Sequence, residues 1–156
     1  MNLIPPSMFK LLLPLARKWA EEQESIILRD GVALTTSQIE DARKIGVREP
    51  ERVRLRVVDE IPTPTNPLLR AAAEQTGLLS PFMVGLTLRY GIFIRADHWG
   101  ERRLVIHELA HTAQYERLGG FNGFLSVYLD ECLTIGYPNG PLEVEAKENE
   151  ARLLGL

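Results

Sequence analysis

The stretch that most constrains this chain is 103–114, where His107, Glu108 and His111 stand in the order His-Glu-x-x-His inside an apolar, helix-forming run. Two histidines four residues apart lie one above the other on a single helix face, so both imidazoles can reach one ion. The glutamate after the first histidine then sits beside a water on that ion, the arrangement a zinc hydrolase needs. Leu104, Val105, Ile106, Leu109 and Ala110 would bury the helix almost all round. Two buried histidines and a buried carboxylate without a metal carry a large desolvation cost. That cost sets the metal reading above one in which His107 and His111 are core residues satisfied by local hydrogen bonds.

The elements around this helix follow from periodicity and punctuation. Residues 8–28 place Phe9, Leu12, Leu13, Leu15, Ala16, Trp19, Ala20, Ile26 and Ile27 at helical spacing, and the Arg29, Asp30, Gly31 sequence stops them. A second helix over Thr36–Ile45 is entered through Thr35 and Gln38, which have the spacing of a capping box, and closed by Gly46. Residues 53–58 alternate apolar and basic, which predicts a half-exposed strand with Arg52, Arg54 and Arg56 on one solvated face. A helix is expected from Pro67 to about Leu79. Residues 85–94 form the clearest strand, with Leu86, Leu88, Tyr90, Ile92 and Ile94 alternating against Thr87, Arg89, Gly91 and Phe93. Gly91 in it suggests a bulge or a close backbone approach. Asp97 is the expected cap of the motif helix, which Gly119 and Gly120 end. An amphipathic helix is expected after Gly123, ending at Gly136. A last helix begins at Pro141 and carries Glu143, Glu145, Ala146, Lys147 and Arg152.

A catalytic zinc takes three protein ligands and leaves one position open, so the two histidines need a partner. His98, in the turn before the motif helix, reads as a capping or surface residue. Cys132, alone on an apolar helix face, reads as a small core residue. The remaining candidates are carboxylates of the last helix, Glu143 and Glu145, which a helix and a turn bring back beside the motif.

A strand, then His107-Glu108-Leu-Ala-His111, then a helix bearing Glu143 and Ala146 resembles the gluzincin metallopeptidases of the zincin fold, in particular their minimal single-domain bacterial forms. The resemblance covers about residues 85–152. It implies Zn²⁺ held by His107, His111 and Glu143, with Ala146 the small residue that lets the two helices approach and Glu145 the fallback ligand. Lys147 departs from the pattern, because many gluzincins have an acidic residue there to orient a ligating histidine. Some other group must then hold that imidazole. The third histidine of the metzincin pattern is absent, Arg117 standing at its position. Peptide deformylases take a cysteine upstream of the motif, whereas Cys132 lies downstream.

The implied fold is α+β and zincin-like: a single domain over 1–156, with an N-terminal helical part (1–50) and a small mixed sheet packed on the active-site helix (51–156). The implied activity is peptide-bond hydrolysis, with Glu108 as general base and Tyr137 as oxyanion helper. A peptide or protein substrate would pair along the strand 85–94. A catalytically silent zinc-binding module for peptides or proteins is the alternative.

Composition narrows the setting. The net charge of −3, with the acidic excess in the same third as the motif, argues against a nucleic-acid partner. A single cysteine allows no internal disulfide. The apolar N-terminal patch lacks a basic region ahead of it, and no run is long enough to span a bilayer, so a cytoplasmic location without stable membrane insertion is expected.

Overall fold

The computed structural model describes residues 5–78 and 82–156. It is α+β and mostly helical, with six helices and one four-stranded mixed sheet among those residues. In chain order the elements are α1 (Pro6–Asp30), β1 (Val32–Ala33), α2 (Thr36–Ile45), β2 (Arg54–Val58), α3 (Pro67–Thr76), β3 (Gly85–Leu88), β4 (Gly91–Arg95), α4 (Arg102–Leu118), α5 (Phe121–Thr134) and α6 (Pro141–Leu154). None of these helices is long and apolar enough to cross a membrane.

Several helix boundaries follow directly from local chemistry. Thr35 and Gln38 form the expected reciprocal cap: the Gln38 N–H donates to the Thr35 hydroxyl, and the Thr35 N–H donates to the Gln38 side chain. Gly46 ends α2 in the left-handed region, as read from the sequence. The helix expected to reach about Leu79 ends at Thr76, with Leu79 itself outside the described residues. The motif helix α4 is capped at Glu101 rather than Asp97. Asp97 lies in a short 3-10 turn (Ala96–His98), and its carboxylate is occupied by the Arg95 guanidinium at 2.7 and 3.0 Å. Helix α5 starts at Phe121, so Gly123 is inside it. A Cβ there would fall 1.6 Å from the Leu118 carbonyl oxygen, and only glycine lets the end of α4 come so close to the first turn of α5.

The sheet order is β1-β2-β4-β3. Strands β2 and β4 are parallel, and the two outer pairs are antiparallel. The single strand expected over 85–94 is instead a hairpin, β3 and β4 joined by Arg89 and Tyr90. Leu88 and Gly91 are direct partners across it, and Arg89 has φ 60. A two-residue turn needs such a conformation, and here bonds from two sides hold it without glycine. Glu24 of α1 accepts from Arg89 Nε (2.9 Å), Arg89 Nη2 (2.7 Å) and the Tyr90 N–H (3.0 Å), and the Thr112 hydroxyl of α4 donates to the Arg89 carbonyl (2.8 Å). The sequence signal failed because alternation persists through the turn, and because both sheet faces are buried. Phe93, which alternation sets against Leu88, packs with it against α1, while Ile92 and Ile94 pack against α4. Gly91 is indeed a close approach: a Cβ would meet the Ile27 side chain at 3.0 Å.

Two cores result, one on each face of the sheet. On one side α1, α3 and α5 pack around Leu12, Ala16, Leu69, Phe93 and Phe124. On the other, α2, α4 and α6 pack around Ala42, Leu55, Ile92, Ile106, Leu109 and Ala146. The basic residues beside β2 do not form one solvated array. Arg52 stacks over Tyr90 at 4.1 Å, Arg54 donates to the carbonyls of Glu51 and Val53, and Arg56 pairs with Asp30 at 2.8 Å.

The Glu24 carboxylate is buried and holds three donors, so Glu24→Ala is expected to lower unfolding stability by about 2–3 kcal/mol. Arg29→Ala, which breaks an exposed pair, should leave it almost unchanged. Urea unfolding of both variants against wild type checks the contrast.

Candidate metal centre

Helix α4 carries His107, Glu108 and His111, and α6 returns across it so that Glu143 faces both histidines. Ala146, one turn further along α6, is fully buried in the core shared with Ile106, Leu109 and Ala110. A larger side chain there would hold the helices apart, which is the role expected of this position.

The three side chains converge. His107 Nε2 lies 2.8 Å from Glu143 Oε1, and His111 Nε2 lies 3.4 Å from the same oxygen and 3.2 Å from Oε2. One donor atom from each of the three residues falls within 4.8 Å of the others. A tetrahedral zinc with ligands at 2.0–2.1 Å separates neighbouring ligand atoms by about 3.3 Å, and the imidazole–carboxylate spacings of 2.8–3.4 Å lie around that edge length.

The outer ring of hydrogen bonds sets the tautomers. Gln114 Nε2 donates to the Leu142 carbonyl at 2.8 Å, an atom that can only accept, so Gln114 turns Oε1 towards His111 Nδ1 at 2.8 Å. His111 Nδ1 therefore carries the proton. On the other ring, His107 Nδ1 faces Glu150 Oε1 at 3.0 Å and donates to it, while Arg103 engages the second oxygen of Glu150. Neutral imidazoles held this way point both Nε2 lone pairs at a carboxylate. The arrangement is satisfied by a proton on each Nε2 or by one cation among the three, and the donor set fits zinc.

Protonation reflects the same crowding. Burial alone would lower the His107 pKa, but the Glu143 hydrogen bond and the charges of Glu108, Glu143 and Glu150 outweigh it and hold the imidazole up to about 9. Burial would raise Glu143, yet the bonds from His107 and His111 keep it well below the usual carboxylate range. The Tyr128 hydroxyl donates to Glu143 Oε2 at 2.9 Å, and its own pKa is pushed up, first by burial and then by the Glu143 charge.

Glu108 is buried against β3. The Thr87 hydroxyl donates to it, 2.8 Å from Oε2 and 2.9 Å from its carbonyl oxygen. A Cβ on Gly85 would come within 2.9 Å of Oε1, so glycine at this position makes room for the carboxylate. A cleft of about 300 Å³ opens beside the cluster, bounded by the whole of β3 and by His107, Glu108, His111 and Glu143. Tyr137 also lines it, its phenol pushed up to about 12 by burial and then by Glu143 and Glu108.

Of the other candidates, Glu145 turns away. It accepts from Gln114 at 3.1 Å and Arg117 at 2.9 Å, so it supports the ring around the cluster without joining it. His98 pairs with Glu101 in the turn before α4. Cys132 is buried, and burial pushes its thiol up to about 12. Sequence reasoning did not single out Glu150, Gln114, Tyr128 or Thr87. Glu150 takes up the role that Lys147 leaves open, seven residues after Glu143 and so two turns along the same face of α6. Gln114 follows His111 by one turn of α4. Those intervals are visible in the sequence, but only the packing of α6 on α4 gives them meaning.

Comparison with protein-family models, with curated proteins and with solved structures returns no match.

Two measurements follow. In zinc-free protein, His107 has a folded pKa of about 9 against an ordinary 6.5, so its pairing contributes stability fully below about pH 6.5 and loses it as pH rises through 9. Urea midpoints of chelator-treated protein should accordingly fall between pH 6 and pH 9.5. Glu150→Gln and Tyr128→Phe should each weaken zinc about 10- to 100-fold by competition against a chelator, with the helical content unchanged.

Proposed function

We propose that this chain is a zinc-dependent metallopeptidase of gluzincin type, acting on peptide or protein substrates. The observation that carries the reading is the buried meeting of His107 Nε2, His111 Nε2 and Glu143, with Glu108 lining the same cleft. His107, His111 and Glu143 would hold the zinc, which when bound supplies a Lewis acid that polarises the scissile carbonyl and brings the pKa of a water down towards about 7.

The chain's own groups account for the remaining steps. The edge strand β3 offers an extended substrate a row of backbone partners beside the cluster, so the peptide enters as a further strand. This narrows the substrate-pairing strand from 85–94 to Gly85–Leu88, since β4 is already paired on both sides. Glu108 takes a proton from the attacking water as its oxygen bonds to the carbonyl carbon. It then delivers that proton to the amine nitrogen as the C–N bond breaks. The Thr87 hydroxyl fixes the carboxylate for both transfers. Tyr137, raised far enough to stay protonated at neutral pH, donates to the carbonyl oxygen as negative charge develops there. Its buried, neutral lone cysteine suits a reducing compartment, and we place the protein in the cytoplasm.

A silent zinc-binding module would use the same three ligands but leaves the seating of Glu108 against Gly85 and Thr87 without a purpose. Elemental analysis should find about one zinc per chain, lost in Glu143→Ala and kept in Glu145→Ala. Glu108→Gln should retain zinc and lower peptide turnover at least about 100-fold. Equal turnover in Glu108→Gln would remove its role as base, and zinc loss in Glu145→Ala alone would reassign the third ligand.

A further inference from the structure

The cleft extends well past the zinc ligands. Its inner part runs between α1, α3 and α5, with walls made by Ala16, Ala20, Leu69, Ala73, Leu125 and Leu129. Three of these are alanines. Ala16 and Ala20 stand one turn apart on α1, and Ala73 faces the same space from α3.

The charged side chains on the cleft wall are those of the cluster itself, His107, Glu108, His111 and Glu143, and Lys147 of α6. Two of the three tyrosine hydroxyls have partners: Tyr128 donates to Glu143, and Tyr115 reaches the Thr87 carbonyl at 3.4 Å. Beyond the cluster, then, the wall made by the described residues is mostly apolar, with Lys147 its one further charge. The whole cleft, at about 300 Å³, is twice an engineered apolar cavity of about 150 Å³ that takes up benzene. An aromatic or long aliphatic side chain has room beside the apolar wall; a charged one would lose hydration against the side chains of Ala16, Ala20, Leu69, Ala73, Leu125 and Leu129, none of which offers it a partner.

We infer that this inner chamber is the specificity pocket of the site, and that the substrate it selects is a peptide carrying a large apolar side chain, Phe or Leu class, next to the scissile bond. The inference rests on the metallopeptidase reading and adds the substrate class to it. Because α1 and α3 carry none of the zinc-cluster residues, selectivity here is separable from the chemistry.

Amino-acid hydroxamates test this without turnover, because the hydroxamate seeks the zinc and the side chain probes the chamber. Binding of glycine, leucine, phenylalanine, lysine and aspartate hydroxamates is measured by calorimetry on the full chain, with and without one equivalent of zinc. Zinc-dependent binding of the glycine compound is the control for the metal site. Leucine and phenylalanine hydroxamates should bind about ten- to a hundredfold tighter than glycine, as burial of such side chains provides. Lysine and aspartate should gain nothing. Ala20→Leu and Ala73→Leu, with zinc content and circular dichroism unchanged, should remove most of the phenylalanine advantage and leave glycine hydroxamate as before. If one of them does not fold, the wild-type series still decides. Glycine binding with a flat or charge-favouring series would overturn the chamber's role and leave the metal site standing. No zinc-dependent binding by any member would remove the metal site, and the specificity pocket with it.

Discussion

Three electron-rich atoms, two imidazole nitrogens and a carboxylate, face one another within 4.8 Å in the interior of this protein, and much of the architecture serves to hold them there. Left as lone pairs they repel; a cation or a pair of protons makes the same geometry attractive. The surrounding structure does not relieve the conflict by turning a ring aside. It removes that freedom. Gln114 and Glu150 engage the far nitrogens, Tyr128 engages the far carboxylate oxygen, and Ala146 lets α6 lie close on α4. A site built only to be stable would avoid this convergence, because a well-packed apolar replacement of similar volume stabilises as well or better.

The polar ring is continuous. Arg103 supports Glu150, Glu150 supports His107, and Arg117 and Gln114 meet on Glu145. No buried side-chain nitrogen or oxygen among the described residues lacks a partner. Full satisfaction of this kind makes a buried polar network rigid. It also explains why Glu145, equally reachable in sequence, is not part of the cluster: its carboxylate is already engaged one step outward.

Much of this was legible in the sequence, and the failures are specific. His107, Glu108 and His111 share a helix, so their juxtaposition is a matter of local spacing. Glu143 is brought in by the last helix, and a family resemblance was needed to prefer it over Glu145. Thr35 with Gln38, and Gly46 after them, declared α2 because capping is local chemistry. The hairpin hid because its turn uses Arg89, not glycine, and that choice is stabilised by Glu24, 65 residues away. Asp97 had the right residue type and position for a cap, but Arg95 takes its carboxylate first. In the hairpin a contact between distant parts of the chain overrode a sound local preference; at Asp97 a neighbour two residues away did so.

The clamp between Glu24 and the β3–β4 turn ties the first helix to the strand that borders the cleft. Helix α1 also supplies two of the alanines of the inner chamber. The cleft walls that come from α1 and α3 thus lie earlier in the chain than the His/Glu cluster of α4 and α6, and the Glu24 clamp is one of the contacts that bind these parts together. Substitutions on α1 and α3 can therefore reshape the cleft while the cluster of α4 and α6 is inherited intact, provided Glu24 keeps its hold on the turn.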